Sequence, residues 1–278
     1  DDVLVENPGY TNAFRLFNAY GATLQPVLVD ADGFDPAKIP ADSRAKLVFV
    51  TPSNQFPHGG GMTLERRFAL LEWARENNAL IIEDDYDGEL RYEGHPLTAL
   101  QGIDQDGRVI YLGTFSKVLF PAMRLGYVVL PDPLREPFLQ AKQLVDRGAP
   151  TLTQAAVADF MSEGHFERHL RRLRHEYGEL RQVLVNALHK HLGDLVCYSQ
   201  DPAGLQLLLY LPKACREKKV IRDAAVAGVA VYAGAPYHLQ HLPPPSILLG
   251  FIGLDAAAIE TGVERLAQVI RGQGEMEL

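Results

Sequence analysis

Cysteine is scarce: Cys197 and Cys215 are the two in 278 residues, with no C-x-x-C spacing between them. A disulfide framework and a zinc ribbon are therefore both excluded, and a reducing compartment is the expectation. Long apolar runs are missing too. The longest candidates, over 205–211 and 247–252, fall well short of the roughly 18 residues of a spanning helix, so the expected location is the cytoplasm, with no membrane partner. Positive charge is in deficit, 27 Lys and Arg against 35 Asp and Glu, a formal charge of -8. Such a chain offers nucleic acid or an anionic membrane no electrostatic attraction, so any DNA contact belongs to a segment outside it. There is no internal repeat and no low-complexity tract, and the one proline-rich spot, Leu242-Pro-Pro-Pro, has the length of a loop. Asp1-Asp-Val-Leu-Val-Glu6 has no initiator methionine or signal sequence and runs straight into a strand pattern, as expected of a chain cut from something longer.

What is present is a 47% hydrophobic, 22% charged composition, that of a globular protein with a substantial core. Short β-rich runs alternate with helical patterns, which predicts an α/β fold around a mostly parallel sheet. Strands are expected near 3–5, 24–29, 47–51, 80–83, 109–112 and 127–130, and a helix over 63–77, where Leu64, Phe68, Leu71 and Ala74 share a face. Helices follow at 151–162 and 165–192. The rest reads as a smaller α+β unit, with strands near 195–199, 205–211, 229–232 and 247–251 and helices near 217–227 and 255–271. The expected division is a major α/β domain over 1–163 and a linking helix plus minor domain over 164–278.

Lys117 lies in the run Tyr111-Leu-Gly-Thr-Phe-Ser-Lys-Val-Leu-Phe-Pro-Ala-Met-Arg-Leu-Gly126. A lysine at the end of a buried strand is costly unless its amine is consumed, and a Schiff base with an aldehyde cofactor consumes it; pyridoxal 5'-phosphate is such a cofactor. The run 80–89, Leu-Ile-Ile-Glu-Asp-Asp-Tyr-Asp-Gly-Glu, is an apolar strand ending in acid. Ligands of open α/β sheets bind at strand carboxyl ends. There Asp84 can hold a pyridine nitrogen protonated, and Tyr86 can bond a ring hydroxyl. The plain alternative is a solvated loop or magnesium site, with Glu83, Asp85, Asp87 and Glu89 at the surface. Thr114 and Ser116 can donate hydroxyls to a phosphate that Arg124 clamps, although Arg124 alone reads as a surface arginine. In the turn-rich run 50–61, Asn54 or Gln55 can reach the ring oxygen; otherwise the run is a loop. Tyr10, in Asn7-Pro-Gly-Tyr10, can stack on a flat ring or simply pack.

These four runs resemble the fold type I pyridoxal-phosphate enzymes, and specifically the aminotransferase-like domain of MocR-type regulators in the GntR superfamily. The likeness spans nearly the whole chain. The resemblance implies Lys117 as the aldimine lysine, Asp84 at the pyridine nitrogen, Tyr86 at the ring hydroxyl, Thr114, Ser116 and Arg124 at the phosphate, and Tyr10 on the ring. It implies a homodimer. Three departures stand out: Asn54 occupies a position that is usually histidine, the stretch 246–251 has leucines where aminotransferases carry an arginine for the substrate carboxylate, and the family's glycine-rich phosphate turn would precede Asp1.

His165 and His169 have a spacing that can bind zinc, but Arg168, Arg171 and Arg172 surround them, so a solvated basic face is expected and no metal site. His95, His238 and His241 show no partner by spacing, and Tyr232 and Tyr237 read as core or rim packing. The functional expectation is regulatory. A winged helix-turn-helix elsewhere in the full-length protein binds DNA, while this part binds the cofactor at Lys117 and senses an amine or amino acid whose aldimine frees the lysine and shifts domain closure. The alternative is an aminotransferase with Lys117 as general acid and base. An acidic metal-dependent hydrolase using Asp84, Asp85 and Asp87 leaves Lys117 and Arg124 unexplained.

Overall fold

The computed structural model describes residues 1–94, 97–239 and 243–274. His95, His241 and Leu242 lie outside them. The first part of the chain runs β1 (Asp2–Asn7), α1 (Thr11–Ala19), β2 (Thr23–Asp30), β3 (Gly33–Phe34), β4 (Leu47–Val50), α2 (Leu64–Glu76), β5 (Leu80–Asp85), α3 (Leu100–Ile103), β6 (Val109–Thr114) and β7 (Gly126–Val129). These strands form one sheet in the order β3-β2-β1-β4-β5-β6-β7, parallel throughout its middle and antiparallel at both edges. β1 shows why its sequence is continuously apolar. Leu4 packs into one cluster with Val48, Leu70 and Ile81, while Val3 and Val5 pack on the other face with Phe14 and Phe49, so both faces are covered.

The strand order reverses between β1 and β4, which pair in register from Val3 with Leu47. Outside the carboxyl ends of strands at such a reversal, a crevice opens. The loop that leaves β4 there is tied down by Arg67 of α2. Its guanidinium, 2% exposed, donates to Met62 O at 2.9 Å, Thr98 O at 2.8 Å and Pro52 O at 2.6 Å. Glu83, expected as a surface acid, is fully buried instead, because its carboxylate accepts the Leu100 and Gln101 N–H groups at the start of α3.

Beyond β7 come α4 (Asp132–Asp146), α5 (Thr151–Ser162), α6 (His165–Leu192), β8 (Gln206–Tyr210), α7 (Glu217–Val226), β9 (Tyr232–Ala233), β10 (Ser246–Gly250) and α8 (Ala256–Gly274). A three-stranded antiparallel sheet, β8-β10-β9, packs with α6, α7 and α8 around Leu188, Leu209, Ile247 and Leu266. The strand expected over 195–199 is reduced to a single bridge at Cys197, since the Ser199 and Asp201 carbonyls accept from Arg181 Nη2. The strand expected over 229–232 begins only at Tyr232, because Val229 N–H still closes the end of α7 on Ala224 O. α1 and α4 were not among the expected helices. α4 contains Pro137 and buries none of its side chains, so neither propensity nor an inward face marks it.

Arg67→Leu is expected to take a donor from three carbonyls, of which Pro52 O keeps the Met62 N–H, and to lower stability by about 3 kcal/mol, measured by urea unfolding. A loss under about 1 kcal/mol would show that the 51–62 loop holds itself.

Candidate functional site

The carboxyl ends of β1, β4, β5 and β6 converge on a cleft of about 330 Å³. Tyr10, Asp84, Tyr86, Thr114, Ser116, Lys117 and Arg124 all line it; Asn54 and its expected alternative Gln55 do not. Alternation at the end of β5 sends Asp84 and Tyr86 to this cleft and Asp85 and Asp87 to a small cavity on the other side. Burial pushes the Asp84 carboxyl up to about 6, with Asp85 adding to the effect and Lys117 opposing it. The Tyr86 phenol is pushed well up by burial and then by Asp87, Asp84 and Glu6, so it stays protonated. No salt bridge among the described residues uses Asp84, Lys117 or Arg124.

The turn carrying Lys117 starts where Thr114 Oγ1 accepts Ser116 N–H at 3.1 Å and closes where Phe115 N–H meets Leu125 O, also at 3.1 Å. Arg124 ends a 3-10 turn over Pro121–Met123 with a left-handed backbone, φ 49° and ψ 40°. That conformation costs a non-glycine residue on the order of 1 kcal/mol.

Behind the cleft lies a buried network that motif reasoning did not find. Glu6, at the end of β1, accepts at Oε2 from Thr51 N–H at 3.1 Å, Thr51 Oγ1 at 2.6 Å and Gln55 Nε2 at 3.3 Å. Gln55, expected as one of two residues that could reach a ring oxygen, is 2% exposed and spent on structure, because Nε2 also donates to Pro8 O and Phe56 O. Asn54 is likewise buried; its Nδ2 donates to Tyr86 Oη at 3.1 Å and Asp87 Oδ2 at 2.8 Å, so it acts through the phenol. Gly204, at φ +80°, leaves room for it, since a Cβ there would collide with the Asn54 amide nitrogen. The network delivers Phe56 into the cleft, edge-on to Tyr10, Tyr86 and Tyr237 at centroid distances of 5.5, 5.9 and 5.1 Å. Tyr237 is thus part of this aromatic group, whereas Tyr232 is 68% exposed.

Thr51, Phe56, Pro121, Leu205 and Gln206 also line the cleft and were not singled out from the sequence. Thr51 and Phe56 sat inside a flagged loop; Leu205 and Gln206 arrive from the small sheet with no local signal. Asp87, expected as a surface acid, is 2% exposed and held by Asn54. His169 Nε2 lies 2.7 Å from Val118 O and His165 stacks on Phe160, which commits both rings locally. Among the described residues no group of three or more His, Cys, Asp or Glu side chains could hold a metal ion.

Burial raises the Glu6 carboxyl from its ordinary 4.5 to about 7, against the opposing hydrogen bonds of Thr51 and Gln55. The folded protein therefore keeps a proton that the unfolded chain releases, and Glu6 costs stability as pH rises from 4.5 through about 7. Glu6→Gln should remove that slope and be the more stable form at pH 8, by up to about 3 kcal/mol relative to their difference at pH 4. Parallel thermal midpoints of the two proteins across this range would contradict the assignment.

The aminotransferase class I and II family model matches residues 1–266. The chain is 41% identical over 261 residues to the uncharacterized HTH-type transcriptional regulator YhdI of Bacillus subtilis, covering 94% of this chain and 55% of that protein. It is 38% identical over 263 residues to the probable rhizopine catabolism regulatory protein MocR of Rhizobium meliloti, covering 94% and 53%. The chain spans about half the length of these curated relatives. Among solved structures, a Pyrococcus horikoshii kynurenine aminotransferase superposes with a TM-score of 0.92 at 31% identity, covering 100% of this chain and 70% of that one. No helix among the described residues is long and apolar enough to cross a membrane. From sheet order, strand-end cleft and these matches together, the chain belongs to the aminotransferase class I and II family, whose fold it adopts.

Proposed function

We propose that this chain is the effector-sensing, aminotransferase-like domain of a MocR-type bacterial transcriptional regulator of the GntR superfamily. Its cofactor is pyridoxal 5'-phosphate, and its effector is an amine or amino acid. The observation that carries the reading is the meeting on one cleft of a carboxylate, an amine and a guanidinium that form no salt bridge among the described residues. That donor set fits the cofactor, which when bound supplies an aldehyde carbon for amines and an electron-withdrawing ring. Lys117 provides the amine. Asp84 accepts the pyridine N–H, and the pull of that cation brings its carboxyl back down from about 6. Tyr86, oriented by Asn54, donates to the ring oxygen. Thr114, Ser116 and Arg124 hold the phosphate, and Tyr10, braced by Phe56, covers the ring.

Regulation is preferred over turnover because the matches at 41% and 38% identity are regulators, each about twice this chain's length. In this reading the full-length protein is a cytoplasmic homodimer that binds DNA through a segment outside this chain. The second reading, an aminotransferase acting on an amino acid, draws on the kynurenine aminotransferase likeness. Against it stands β10, Ser-Ile-Leu-Leu-Gly, which offers no arginine to a substrate carboxylate.

With pyridoxal phosphate added, the full-length protein is expected to gain a near-visible absorption band. Lys117→Ala should abolish it, and an identical band in that variant would exclude the lysine. Sustained keto-acid production would move the balance to the second reading.

A further inference from the structure

Ten of the twelve side chains that line the cleft come from the large sheet and its loops; Leu205 and Gln206 come from the start of the small one. They are held there by a corner with little freedom. Gly204 N–H donates to Leu90 O at 3.1 Å, Tyr92 Oη donates to Gly204 O at 2.6 Å, and Tyr92 N–H donates to Pro202 O at 2.8 Å. Leu205 packs against the cluster of Leu90, Val118 and Phe166. Gln206 is the first residue of β8 and pairs in register with Gly250 of β10, so it stands between the cleft and the middle strand of the small sheet. Its amide makes no side-chain hydrogen bond among the described residues, which leaves two donors and an acceptor free in a cleft that Leu205 and Phe56 also line.

With Arg124 given to the phosphate, Asp84 to the ring, and Lys117, once freed, left at the end of β6, this wall meets whatever tail an incoming amine carries. A carboxylate or ammonium tail seated at this wall would lose water beside an uncharged amide, whereas a hydroxyl or amide tail can exchange hydrogen bonds with it. A rigid presenter matters because a group already fixed in place loses little freedom on binding.

We propose that Gln206 is the specificity-determining residue of the cleft, selecting primary amines whose tail ends in an uncharged hydrogen-bonding group and tying the bound ligand to the small sheet. The proposal rests on the assignment of Lys117 to pyridoxal phosphate. The test titrates propanolamine, β-alanine and diaminopropane, three tails on one carbon skeleton, against the near-visible band of the cofactor-loaded full-length protein. Propanolamine should give its half-maximal change at a concentration roughly tenfold below the other two. In Gln206→Glu, diaminopropane should move to first place, and in Gln206→Leu the preference for propanolamine should vanish. Such a reordering is not what a general disturbance produces, since that weakens all three amines alike. A flat ranking in the parent protein, or a ranking unchanged in both variants, overturns the role of Gln206 and leaves the cofactor site standing. Failure to form any band with the cofactor overturns the Lys117 reading, and this one falls with it.

Discussion

A strand can offer successive side chains only to opposite sides, and at the end of β5 that rule divides one acid run between two tasks. Asp84 and Tyr86 enter the cleft, while Asp85 and Asp87 turn to the back, where Tyr111 and Asn54 hold them. The division places several carboxylates close together in a poorly solvated region. Burial first, and then Asp85, raises both Asp84 and Asp87, with Lys117 as the opposing charge. The anionic form of Asp84 is therefore disfavoured on this side of the cleft, and a cation placed beside it would offset both the burial of that carboxyl and its repulsion. Network and cleft are one device: Glu6, Thr51 and Gln55 fix the neighbouring strand ends against which the acid run is read.

Much of this was legible in the sequence, for reasons that differ by residue. Parallel strands buried on both faces give continuous apolar runs, so β1, β4, β5 and β6 announce themselves, and strand-end groups such as Asp84 and Lys117 stand out because charge abruptly follows hydrophobicity. Chemistry at strand ends is local in sequence and global in space, which is why two separated runs share one cleft. What stayed hidden lacked a local pattern. Gln55 and Asn54 look interchangeable in the loop after β4, yet one is spent on Glu6 and main-chain carbonyls and the other on Tyr86 and Asp87. Glu83 reads as one more surface acid until the start of α3 is found folded onto it. The segment 195–199 has the composition of a strand, but Arg181 takes its neighbours' carbonyls.

The matches to regulators and to aminotransferases agree about the fold and divide on its use. A cleft of this make serves either end. Capturing an amine needs an amine-reactive ring held in place, whereas turning substrate over also needs the substrate fixed in one attitude, and β10 contributes leucines in place of a charged clamp. A sensor can dispense with that clamp, provided that occupation of the cleft is felt elsewhere. The corner formed by residues 202–204 and 90–92 joins the acid run to the small sheet, so occupancy at one can bias the other.

The left-handed backbone of Arg124 has a consequence for anyone evolving this protein in the laboratory. Glycine adopts that conformation freely and asparagine more readily than arginine, so selection for heat resistance alone would drift toward them at position 124 and discard the guanidinium. Selection for ligand capture would pull the other way. The two screens should part company at this codon, and a library enriched on melting temperature would grow sturdier while emptying the cleft of a cation.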